Sequence, residues 1–79
     1  MTPIARAFVL ITVELGKENP VLDRLRRMAF VKESYVTFGL YDIVCMVETE
    51  MMEEAGKAFT EEIRKLPGIR TTLTMMVVS

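Results

Sequence analysis

A two-layer α+β plait, with one antiparallel sheet of four strands and two helices on a single face, is the fold this sequence predicts. Three observations carry it. Apolar runs of strand length and amphipathic runs of helix length follow one another as βαββαβ. The two middle strands are joined by only a short glycine turn, so they form a hairpin. Gly16 and Leu66-Pro67-Gly68 punctuate the chain where the pattern changes period. Right-handed crossovers and pairing of sequential elements turn that order into a ferredoxin-like topology, with one domain over residues 1–79.

The elements follow in order. "RAFVLITVE", Arg6 to Glu14, is almost continuously apolar and β-branched, the mark of a strand covered on both faces. Gly16 breaks it. In "NPVLDRLRRM", Asn19 is expected to cap a helix and Pro20 to take its first position. Val21, Leu22, Leu25 and Met28 make one apolar stripe, ending near Ala29. "KESYVTF", Lys32 to Phe38, alternates and carries polar residues, as an edge strand does. "IVCMVE", Ile43 to Glu48, is apolar at both parities and therefore central. Thr49 or Glu50 is expected to open a second helix with Met52, Ala55, Phe59, Ile63 and Leu66 on one face. Gly68 in a left-handed position and Pro67 stop it. "RTTLTMMVVS", Arg70 to Ser79, is the last strand.

A domain of 79 residues buries too little surface to be comfortably stable alone, and the usual reinforcements are missing. The single cysteine forms no internal disulfide, and without histidine one thiol builds no zinc cluster. Yet 51% of the residues are hydrophobic. If Ala7, Val9, Ile11 and Val13 face the helices, Phe8 and Leu10 face away. One of the two sets Ile43/Cys45/Val47 and Val44/Met46 then joins them. A sheet apolar on both faces predicts a homodimer formed through the sheet.

Ten basic residues against eleven acidic ones, net charge −1, give no positive field for a phosphate backbone, so no direct nucleic-acid contact is expected. The longest apolar stretch, Ala7 to Ile11, is too short to span a bilayer, and no export signal is visible. The chain is therefore expected in the cytoplasm, away from membranes. Without histidine, Ser34 and Ser79 have no triad partner, and no Walker loop or GxGxxG occurs. Glu53, Glu54, Glu61 and Glu62 read as a solvated helix face, as do Arg24, Arg26 and Arg27, whose alternative, a phosphate-binding patch, is disfavoured by the overall charge. Cys45 reads as a buried small hydrophobe. Met46, Met51, Met52, Met75 and Met76 read as fillers of core and interface gaps. No catalytic residue, metal ligand or cofactor is assigned.

The hairpin turn, "VTFGLYDIVCMV", is better equipped than a turn requires. Gly39 permits a positive φ that exposes consecutive N–H groups. Asp42 has two readings. It can accept hydrogen bonds from the turn's own amides, as in an Asx turn. Alternatively the amides hold a carboxylate while Asp42 receives an ammonium, and Tyr41 adds an apolar wall with a polar tip.

Three stretches, "AFVLITVELGKENPVLDRLRRM", "VKESYVTFGLYDIVCMVE" and "IRKLPGIRTTLTMMVV", resemble the effector domain of the Lrp/AsnC (feast/famine) transcription regulators, called RAM. The resemblance rests on Gly39-x-Tyr41-Asp42, on Leu66-Pro67-Gly68-Ile69 and on the spaced Thr72 and Thr74. It implies sheet-to-sheet dimers assembling into octamers or decamers, with a free amino acid as effector in clefts between dimers. Carried over residue by residue, the ligand-facing set is Thr37, Phe38, Gly39, Leu40, Tyr41 and Asp42, with Thr72 and Thr74 as weaker members. The threonines are equally readable as ordinary strand residues. Typical members carry an N-terminal helix-turn-helix. This chain opens on Met1-Thr2-Pro3-Ile4-Ala5, so a stand-alone RAM protein is expected, acting on transcription indirectly, by joining or capping assemblies of full-length regulators or by sequestering the amino acid. Two other readings share the frame: a small non-haem enzyme on a dimeric α+β barrel, disfavoured by the absence of histidine, and an ACT-type regulatory domain, whose usual loop signature is not obvious around Gly16 to Pro20.

Overall fold

In a computed structural model, residues 4–50 and 55–78 are described, with the side chains of the second helix described from Thr60 onward. The elements are β1 (Ala5–Val13), α1 (Glu18–Arg26), β2 (Val31–Val36), β3 (Ile43–Thr49), α2 (Ala55–Arg64) and β4 (Ile69–Met76). The strands lie in the order β2-β3-β1-β4, every neighbouring pair antiparallel. This is the ferredoxin-like α+β plait that the periodicities predict.

Strand parity decides what the sheet buries. Ala5, Ala7, Val9, Ile11 and Val13 of β1 join Ile43, Cys45 and Val47 of β3 under Val21 and Leu25 of α1 and Ile63 of α2. The set that turns away is therefore Val44/Met46. On that open face Phe8 lies between Met46 and Met75, and Leu10 between Val44 and Leu73. Phe8, Leu73 and Met75 remain 42%, 46% and 47% exposed, so a continuous apolar strip crosses three strands uncovered.

Several boundaries differ from the expectation. Helix α1 starts at Glu18, with Lys17 at the cap position and no side-chain cap, so Asn19 does not cap it. The first helical turn closes through Val21 N donating to Lys17 O at 3.1 Å. Pro20 then falls third in the helix, still within the first turn, where its missing N–H costs nothing. The helix ends at Arg26, short of Ala29, with the Arg27 and Met28 N–H groups bonding to Arg24 O and Leu25 O. Strand β2 ends at Val36 and not Phe38, and β4 spans Ile69–Met76, not Arg70 to Ser79. Thr49 is the last residue of β3, and Glu50 is not helical, so neither opens α2. Of the expected apolar stripe, Ile63 is buried and Leu66 packs against the core. The Met52 position lies outside the described residues, as do Met51, Glu53, Glu54 and Ser79.

Two loops tie the ends of the plait together. Glu14 N donates to Gly68 O at 2.8 Å. Gly68 has φ +94°, and a Cβ there would lie 3.1 Å from Lys17 Cβ and 3.3 Å from Val21 Cγ2. Positive φ and close approach both call for glycine at this position.

Candidate functional site

The β2–β3 turn is clamped rather than loose. Thr37 N donates to Asp42 O at 2.8 Å, and Asp42 N donates to Ile11 O at 2.9 Å. The Thr37 hydroxyl donates to Tyr41 O at 2.9 Å, closing the loop on itself. Gly39 has φ +132°, the left-handed half of the map expected for it.

Asp42 does something different from the Asx turn of the first reading. Its Oδ2 accepts from Val13 N at 2.9 Å, across to β1. The reason is strand length: β3 begins at Ile43, opposite Ile11, while β1 continues to Val13. The Val13 N–H has run past the end of β3, and the carboxylate supplies the acceptor that a strand would have given. Asp42 is a brace, and only Oδ2 is engaged among the described contacts.

Beside this turn lies a cleft of about 390 Å³ lined by Glu18, Asn19, Val36, Thr37, Phe38, Gly39 and Asp42. Four of the eight sequence-derived residues thus meet in one place. Leu40 projects outward almost fully exposed, and Phe38 presents its whole ring to solvent. Tyr41 is half-buried and contributes its carbonyl to the turn. Thr72 and Thr74 are not part of this cleft. Both face α2, where Thr72 Oγ1 accepts from Arg64 Nε at 3.0 Å and the Thr74 and Thr60 hydroxyls lie 3.0 Å apart. Glu18 and Asn19 are absent from the sequence-derived set. They arrive by tertiary packing of the α1 start, and no local pattern announces that.

The cleft offers two carboxylates, an amide and an apolar rim, a composition suited to a cationic amine with an apolar stem. It holds no nucleophile–base pair. Cys45 is buried, and desolvation pushes its thiol up from 9.0 to about 11, so it is inert at neutral pH. Among the described residues no cluster of three or more metal-ligating side chains occurs, and no helix is long and apolar enough to cross a membrane. Another cleft, at the β2 edge, is lined by Arg26, Lys32, Glu33, Ser34 and Tyr35. There Arg26 donates to the Ser34 carbonyl at 3.2 Å, which blunts a strand edge.

Residues 6–79 match the family model described as the Lrp/AsnC ligand binding domain. The chain belongs to the Lrp/AsnC family. The HTH-type transcriptional regulator FL11 of Pyrococcus abyssi is 38% identical over 72 residues, and its Pyrococcus horikoshii counterpart 36% over 72. Each alignment covers 91% of this chain but 47% of the regulator, so the chain spans about half the length of these curated relatives. Among solved structures, FFRP-DM1 superposes with a TM-score of 0.86 at 40% identity, covering 94% of this chain and 99% of that one. Hypothetical protein PHS023 from Pyrococcus horikoshii gives 0.84 at 40% identity, covering 95% and 90%. The named relatives are transcriptional regulators, not enzymes.

Proposed function

We propose that this Lrp/AsnC domain is an oligomeric amino-acid-responsive effector module that influences transcription through assembly rather than through its own contact with DNA. The observation that carries the reading is the braced turn beside the Glu18–Asp42 cleft. Its loop is clamped, with Gly39 at positive φ and one Asp42 carboxylate oxygen unengaged among the described contacts. The cleft beside it is sized for a small metabolite. The ammonium of a free amino acid matches that carboxylate oxygen. The open strip around Phe8 supports a homodimer, and the projecting Phe38 and Leu40 side chains support further contacts between dimers, up to an octamer or decamer. Ligand and assembly are then linked, because an amino acid that binds better in one assembly shifts the population towards it. A cytoplasmic location follows from that role.

Calorimetry of the intact oligomer against the proteinogenic amino acids tests this. Saturable heat from a subset of them, lost in Asp42→Asn, is expected. Silence across the panel at millimolar concentration removes the sensing reading and leaves an assembly module.

A further inference from the structure

Strand β2 ends the sheet, and no further strand lies beyond it. We propose that its free edge is a latent contact surface for the β2 of a second copy of this chain, held shut by Arg26. The inference needs neither the turn cleft nor the open face around Phe8.

The backbone decides which groups are on offer. Thr37 N donates to Asp42 O, so Thr37 faces β3, and by alternation Tyr35 and Glu33 face it too. The N–H and C=O of Ser34 and Val36 therefore point off the edge. The Ser34 carbonyl bears this out, because it accepts from Nη2 of Arg26, a residue of α1, at 3.2 Å. A cleft of about 240 Å³ runs along the edge, lined by Arg26 and the consecutive residues Val31 to Tyr35. Tyr35 and Val36 are 53% and 49% exposed. An uncovered edge carrying apolar side chains is a template for another strand.

The pattern of β2 matches its own reverse, which selects a second copy as the occupant. A two-fold axis through Tyr35 sets Ser34 opposite Val36 of the second copy, and Val36 opposite its Ser34. The outward N–H and C=O groups of both residues then pair completely. The two Tyr35 rings meet as a cross-strand aromatic pair. Each Glu33 falls opposite a Thr37 and not opposite its own like charge. The bulge at Lys32, where Val31 pairs with Val47 but Glu33 with Met46, ends the regular stretch just beyond.

Arg26 stands in the way. Its guanidinium takes the Ser34 carbonyl that Val36 of the second copy would need, and a charged donor holds a carbonyl more tightly than a neutral amide does. A cation in the last turn of α1 also complements the helix dipole, but Arg24 supplies that as well. The dipole does not account for the reach of Arg26 across to β2.

Cross-linking of the full chain tests this. Phe8→Glu serves as the background, so that association through the open face does not intervene. Tyr35→Cys places a thiol on the axis, where facing Cα atoms about 4.5 Å apart lie within reach of a disulfide. Cys45 is buried and does not compete. Under mild oxidation, covalent dimers should form at least about tenfold faster once Arg26→Ala is added, as expected when one charged donor stops competing for the carbonyl. Arg26 is exposed, so its removal leaves the core untouched, and Arg26→Gln should act in the same direction. Glu33→Cys sets the two thiols apart and should cross-link slowly with or without Arg26. Equal rates for Tyr35→Cys in the presence and absence of Arg26 overturn the guard. Equal rates for Tyr35→Cys and Glu33→Cys overturn the two-fold pairing.

Discussion

At the scale of single residues, Asp42 has one observed role, the brace, and one proposed role, the receiver of an ammonium, and substitution can separate them. As a brace it accepts from Val13 N at 2.9 Å in a half-buried setting. Asp42→Ala strands that N–H and should cost about 1–3 kcal/mol in chemical denaturation. Asp42→Asn keeps an acceptor oxygen and should recover most of that loss. It nevertheless removes the charge that would receive an ammonium. A folded Asp42→Asn chain that binds amino acids as the parent does would make Asp42 purely structural. Cys45 gives a second residue-scale expectation. Its thiol is raised from 9.0 to about 11 by burial, so the folded state holds its proton more tightly than the unfolded state. That contribution is fully present below pH 9 and is lost as pH rises towards 11. It amounts to roughly 3 kcal/mol at most. Urea midpoints measured across that window should fall in the parent chain and fall less in Cys45→Ala, once the lower baseline of the variant is subtracted.

At the scale of elements, local pattern and long-range packing divide what could be read from the chain. Strand period alone separates Ala7, Val9, Ile11 and Val13 from Phe8 and Leu10 in β1, because it is a property of the strand itself. Which set meets the helices stayed a condition in a run apolar at both parities, and packing decides it. The stop at Leu66-Pro67-Gly68 was legible for a similar reason, since it depends on backbone freedom at one residue. The start of α1 was not. Asn19 is a good capping residue, yet the Glu14–Gly68 and Lys17–Glu14 hydrogen bonds shape the preceding loop so that the helix opens earlier, at Glu18. The partner of Asp42 was hidden too, because it lies 29 residues away and follows from β1 outlasting β3. Glu18 and Asn19 joined the cleft by the same kind of tertiary placement. The packing of the two loops can be tested directly. Gly68→Ala sets a Cβ against Lys17 and Val21 at φ +94°, so both strain and crowding oppose it. A loss of about 1–3 kcal/mol is expected in thermal or urea unfolding. Gly39→Ala has open space around it and bears only the strain of φ +132°, so its loss should be the smaller of the two.

At the scale of the whole molecule, the two faces of the sheet are unequally satisfied. The helix face has Val9, Ile11, Leu25, Ile43 and Ile63 fully buried, while the opposite face leaves Phe8, Leu73 and Met75 nearly half exposed. The polar groups on that side lie towards its margins, as in the Arg6–Glu48 pair at 3.3 Å and the Thr12–Thr71 hydroxyl contact. An apolar centre with a polar rim is how a protein interface is built, and a stable one hides roughly 800 Å² per partner. Phe8 is the natural centre, flanked by methionines on both neighbouring strands. Because its side chain adds nothing to the helix-side core, Phe8→Glu should leave the fold intact while placing a charge that a second sheet cannot desolvate without a large penalty. Sedimentation equilibrium should show the parent as a dimer or larger assembly, and Phe8→Glu as a monomer with unchanged far-ultraviolet circular dichroism. If ligand and assembly are linked, the same variant should also lose amino-acid binding at the turn, although Phe8 does not line that cleft. A monomeric Phe8→Glu chain that still binds its amino acid at parental affinity would place the whole effector site within one subunit and dissolve the link.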